Sequence, residues 1–149
     1  MKPEDQRQLG VELYNKTWTL MRKSDRTSKE DDEMLHCAHA SAYHWLQVGT
    51  QANRARGEWL CSRVYTVLAR PEPALRHARR CLELVESAPE EIEDWDLAAA
   101  HEAVARAHAT GGAAGEARKH LELGRAALDR IADAEDREQL EADFATIPV

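Results

Sequence analysis

Basic charge is what this 149-residue sequence is short of: 20 lysines and arginines stand against 27 acids, a formal net charge of -7. Surplus carboxylates are repelled by phosphate backbones and anionic lipid headgroups, which argues against nucleic acid and membranes as partners. Long hydrophobic runs are missing too. Nothing approaches the roughly 18 apolar residues of a membrane span, and Met1-Lys2-Pro3-Glu4-Asp5 leads into amphipathic sequence rather than a secretion signal, so a cytoplasmic protein is expected. Cysteine is scarce and unpatterned. Cys37, Cys61 and Cys81 are odd in number, lack CxxC spacing and lie among apolar helical neighbours, which suits reduced, buried thiols. β-Branched residues are sparse and no stretch alternates apolar with polar, so no strand is expected.

What is present is the material of helices. The chain is 43% hydrophobic and 32% charged, within the range of one folded domain, and Ala, Leu, Glu and Arg dominate. Breakers divide it into about seven segments of helical length. The first covers residues 3–23 and ends in a polar Ser24–Ser28 loop; the second covers 29–48, stopped by Gly49. Thr50 can cap a third helix to residue 69, before Pro71 and Pro73, and a fourth runs to residue 86. Ser87-Ala88-Pro89-Glu90 has capping-box spacing, which predicts that the fifth helix opens there; it would close at Gly111-Gly112. A sixth helix over 114–132 and a short seventh from Asp133 complete the chain.

An internal periodicity runs through these segments. Ser62, Tyr65, Ala74, Ala78 and Cys81-Leu82-Glu83-Leu84 place small residues where two helices of a hairpin cross, with an aromatic beside them; Val104-Ala105, His108, Gly112, Ala117, Leu121 and Gly124 repeat the offsets. Ala40 lies 34 residues before Ala74. In these features the chain resembles the tetratricopeptide repeat (TPR) family. Departures are the 43 residues from Ala74 to Ala117, and Glu58 and His101 where the family has a large aromatic. The resemblance implies an all-α, single-domain, right-handed superhelix of helical hairpins: an atypical first hairpin (1–50), two TPR-like units (51–87 and 88–132) and a C-terminal capping helix (133–149). It also implies a scaffold for binding proteins. The Lys/Asn carboxylate clamp of chaperone-binding members is not reproduced.

The expected contact surface consists of two stripes. Arg56, Trp59 and Arg63 are spaced three and then four apart on the third helix, with Asn53 one turn before. Trp95, Ala99, Glu102 and Arg106 are spaced four, three and four on the fifth. In TPR proteins this side of each unit's first helix lines the concave groove. Trp and Arg are enriched at binding hot spots, and arginine forks suit a protein or peptide partner bearing carboxylates. The same residues also suit internal packing, with Arg63 or Arg106 paired to Glu102, and Trp18 fits either groove or core.

Competing chemistry has weaker signals. His36, His39 and His44 crowd one helix without converging on one side, no HExxH is present, and convergence of His36 or His39 with Glu58 or His77 is invisible in sequence. Cys61 and Cys81 sit at core positions unsuited to nucleophilic work, Asp94 and Asp96 merely flank Trp95, and Gly111-Gly112 lacks the context of a phosphate loop. The expectation is a non-catalytic adaptor without cofactor. A metal-dependent helical-bundle enzyme, a small-molecule carrier and a symmetric homodimer using the same surface are the alternatives.

Overall fold

Seven α-helices and no strand make up the protein, whose computed structural model describes residues 1–149. They are α1 (Pro3–Met21), α2 (Ser28–Val48), α3 (Gln51–Val67), α4 (Pro71–Ser87), α5 (Asp96–Thr110), α6 (Ala114–Leu128) and α7 (Ala134–Ala145). Proline opens α1 and α4, where a missing N–H costs nothing. Thr27 and Thr50 build reciprocal capping boxes with Glu30 and Asn53, and Asp133 caps α7 by accepting from the Asp136 N–H. No helix is long and apolar enough to cross a membrane.

One predicted boundary fails. Ser87 is the last residue of α4, its hydroxyl donating to the Leu84 carbonyl, and α5 begins only at Asp96. Between them the chain turns twice, through Glu91 N–H to Ala88 O and Asp96 N–H to Glu93 O. The Asp96 carboxylate also takes the Glu93 N–H at 2.8 Å, so the turn before α5 is held by Asp96 instead of the Ser87–Glu90 box.

Helices α1 and α2, α3 and α4, and α5 and α6 pair most extensively, giving three consecutive hairpins. The hairpins join through α2 against α3 and α4 against α5, while the leading helices also touch, α1 with α3 and α3 with α5. Alanine is the commonest buried residue, which lets backbones approach closely. Ser62, Ala74, Ala78 and Cys81 are buried at the α3–α4 crossing, and the Ser62 hydroxyl donates to the Ala74 carbonyl at 2.8 Å.

The C-terminal end has the largest buried apolar cluster. Ala98, Ala105, Leu121, Leu128 and Ile131 meet Leu140, Phe144 and Ile147, so α7 seals the edge that α5 and α6 leave open. Gly124 is what admits Phe144: a methyl built on Gly124 would overlap the far edge of the phenyl ring and come within 3.2 Å of His101 Cβ. Because that ring is almost fully buried, Gly124→Ala is expected to destabilise the protein by about 1–3 kcal/mol. Urea unfolding should show a lower midpoint at unchanged slope; an unchanged midpoint would mean that the ring moves aside freely.

Candidate functional site

Five helices converge on one cleft, α4 through Cys81 alone. From α1 come Tyr14 and Trp18, four apart on one flank; from α3 Ala55, Arg56 and Trp59; from the start of α5 Trp95, Asp96 and Ala99. From α7 come Asp136, Gln139, Leu140 and Asp143, the i, i+3, i+4, i+7 series of a single helix face. The cleft has a volume of about 270 Å³. Trp18 stacks on Trp59 with ring centroids 5.9 Å apart and planes 28° apart. The Arg56 guanidinium carbon lies 4.4 Å from the centre of the Trp95 ring, within cation–π range. Tyr14 is largely buried, and that burial raises its hydroxyl pKa above 10.0, so it faces the cleft as a neutral phenol.

Beneath the aromatic wall lies a buried ionic network. The Glu102 carboxylate, 1% exposed, accepts from Trp59 Nε1 at 3.2 Å, Arg63 Nη1 at 3.0 Å and Arg106 Nε at 2.8 Å. Arg106 then donates from Nη2 to the Asp143 carbonyl at 2.9 Å and to Thr146 Oγ1 at 2.7 Å, so it also holds the C-terminal end of α7. A second fork is bidentate: Arg56 Nε and Nη2 reach the two oxygens of Asp96 at 3.1 and 2.9 Å, and that carboxylate is 3% exposed. Partners of this kind make buried carboxylates tolerable where bare charges would not be.

The chain matches no family model, no curated protein and no solved structure. What the site can do therefore follows from its own geometry.

Of the residues expected to form a contact surface, Trp59, Trp95 and Arg56 line the cleft together, and Trp18 joins them. The others do different work. Glu102 is buried under the cleft, and Arg63 and Arg106 are engaged by it, so they are internal ion pairs instead of free forks. Asn53 uses its side-chain oxygen on the Thr50 N–H to cap α3, and with Val11, Trp45 and Gly57 lines a neighbouring groove that shares Tyr14 and Arg56 with the cleft. Asp94 accepts from the Ala132 N–H and Asp96 from Arg56, so the pair flanking Trp95 ties the chain together and offers no acid–base couple. The wall supplied by α7 was not expected, although the 3–4 spacing of Asp136, Gln139, Leu140 and Asp143 is visible in the sequence. Asp136 and Asp143 make no direct side-chain ion pair, although Asp143 acts on Arg63 at longer range.

Five of the seven histidines gather in two places, while His44 meets Gln6 and His36 lines a separate groove on α2. His39 Nε2 meets the Tyr65 hydroxyl at 2.9 Å and its Nδ1 lies 3.7 Å from Cys61 Sγ, while His77 Nδ1 meets Glu58 at 2.6 Å and stacks on Tyr65. The convergence of His39 with Glu58 and His77 thus exists, as a hydrogen-bonded bridge among α2, α3 and α4 that occupies both nitrogens of His39. The second group, His101, His108 and His120 with Glu116, spans α5 and α6. Burial pushes the Cys61 thiol up to about 12 and raises Cys81 further, which removes both as nucleophiles at neutral pH.

Two outcomes are expected. Removing the shared carboxylate in Glu102→Ala strands two arginines and should cost roughly 3–5 kcal/mol in chemical unfolding; a loss below 1 kcal/mol would show that water replaces the carboxylate. Burial, followed by the neighbouring His77, holds the His39 pKa below its ordinary 6.5. The unfolded chain then binds the proton more readily, so this contribution is complete above 6.5 and is lost as pH falls towards the folded value. Melting temperature should drop between pH 7.5 and 5.5, and drop less in His39→Gln; parallel profiles would contradict the assignment.

Proposed function

We propose that this protein is a non-catalytic binding module of TPR-like hairpins whose cleft takes an apolar side chain with a cationic end, presented by a protein or peptide. The observation that carries the reading is the cleft wall: Trp18, Trp59 and Trp95, with Tyr14, around a space of about 270 Å³. Aromatic side chains supply large contact area with little conformational entropy to lose, and their faces attract cations. Arg56, Arg63 and Arg106, which would suit a partner's carboxylate, are all engaged by Asp96 and Glu102. Asp136 makes no ion pair and Asp143 acts on Arg63 only at longer range; the four carboxylates Asp96, Glu102, Asp136 and Asp143 outnumber the three arginines, so the charge facing a guest is negative. Lysine or arginine beside a leucine or aromatic residue fits this arrangement better than a carboxylate does.

Support for a non-catalytic role comes from the same contacts. The buried acids accept hydrogen bonds from arginines and backbone, and the thiols are held protonated. A small organic cation is the second reading, favoured by α7. That helix supplies one flank of the cleft, whose volume of about 270 Å³ lies near the lower end of small-molecule sites, about 300 Å³.

Capped dipeptides joining leucine to lysine should quench or shift tryptophan fluorescence saturably, whereas the leucine–glutamate counterparts should not. Trp95→Ala should remove the response while leaving far-ultraviolet circular dichroism unchanged. A response to the acidic series alone, or equal responses in protein and Trp95→Ala, would remove the proposal. Saturation by an organic cation with none by either peptide would favour the small-molecule reading.

A further inference from the structure

The α5–α6 hairpin holds histidines that the cleft does not use. His101 and His108 lie seven residues apart, two turns along α5, and across from them Glu116 and His120 lie four apart on α6. One ligand atom from each of His108, Glu116 and His120 falls within 4.8 Å of the other two. The His108 and His120 rings stack with centroids 6.0 Å apart, and His101 Nδ1 is 3.1 Å from His120 Nδ1. We propose that His108, Glu116 and His120 form a binding site for a divalent transition-metal ion of the zinc type.

Donor chemistry selects the class of ion. Two imidazoles and one carboxylate suit zinc and its first-row neighbours; calcium and magnesium want oxygen throughout. Three protein ligands leave a fourth tetrahedral position for water or an outside ligand. His101 completes the arrangement from behind. With the Nδ1–H of His120 donating to Nδ1 of His101, Nε2 of His120 carries the lone pair free to ligate, the arrangement that outer partners of metal-bound histidines provide.

Apart from the His101–His120 contact, nothing else in the fold uses these groups. His108 is 8% exposed yet makes no hydrogen bond through its ring, and the Glu116 carboxylate makes no ion pair despite Arg118 and Lys119 close by in sequence. By contrast His39, in the other histidine group, has both nitrogens engaged. Bonds of about 2.0–2.1 Å in a tetrahedron put ligand atoms about 3.3 Å apart, so binding requires the site to draw in by at most about 1.5 Å. Glu116 is exposed and can supply its own share of that movement by rotating its side chain. Arg79, near His108, and Lys119, near His120, oppose the ion's charge, which makes the Glu116 carboxylate the decisive ligand.

Calorimetric titration of metal-free, tag-free protein with Zn²⁺ should give one site. Co²⁺ should give visible bands of a nitrogen–oxygen site, without the charge-transfer absorption of a thiolate ligand. Glu116→Gln, a surface change, should weaken Zn²⁺ at least about tenfold, the lower end of what losing even an outer partner costs. His120→Ala should abolish binding with helicity retained, and His77→Ala in the other group should leave it intact. Should His120→Ala lose its helicity, Glu116→Gln decides alone. No saturable Zn²⁺ binding to the folded protein, affinity unchanged in Glu116→Gln, or loss in His77→Ala instead would overturn the proposal.

Discussion

A single carboxylate, that of Glu102, is the constraint around which the rest of the site is arranged. It is sealed from water and accepts from α3 twice, through Trp59 and Arg63, and from its own helix through Arg106. Arg106 relays the connection to the end of α7. Such a group is costly to bury, because desolvation competes with every ion pair it makes. Its value is geometric. It fixes which flank of α3 faces α5, sets the Trp59 ring upright by its Nε1–H, and pins the helix that walls the cleft.

The cleft follows from that arrangement. With Trp59 held from below and Trp18 stacked on its face, the indoles cannot collapse on one another and fill the space between α1 and α5. Arg56 holds the other side, its fork on Asp96 and its flat face over Trp95. Every arginine of the two stripes thus stabilises the wall from within, and the negative charge of α7 remains for the guest. Histidines follow a similar division: one group bridges α2, α3 and α4 with both nitrogens of His39 engaged, and in the other, on α5 and α6, His108 and Glu116 have no hydrogen-bonded partner.

Much of the fold was legible because helix ends are written locally. Pro3, Pro71, Thr27, Thr50, Asp133 and Gly111 each stop or start a helix by chemistry that reaches only three or four residues. Ser87–Glu90 misled for the same reason. Its spacing satisfies a capping box, but the hydroxyl of Ser87 found the Leu84 carbonyl and the next helix took its start from Asp96. The stripes on α3 and α5 were readable from their spacing, as was the choice between groove and internal pairing that they posed. How that choice resolves depends on contacts 39 to 43 residues apart, from Arg63 and Trp59 to Glu102, and on α7, whose face becomes a wall only once Phe144 enters the gap at Gly124. Nothing in the local pattern of either segment encodes such a meeting.

Residue-resolved hydrogen exchange on Glu102→Gln, which keeps the size and one acceptor of the side chain but removes its charge, tests this anchoring most directly. If the carboxylate holds α7 through Arg106, amides of α7 should lose protection far more than those of α1 and α2, none of whose residues hydrogen-bonds to Glu102 or Arg106. An equal loss along the whole chain, or α7 protection unchanged from the parent protein, would contradict the claim that Glu102 organises the cleft.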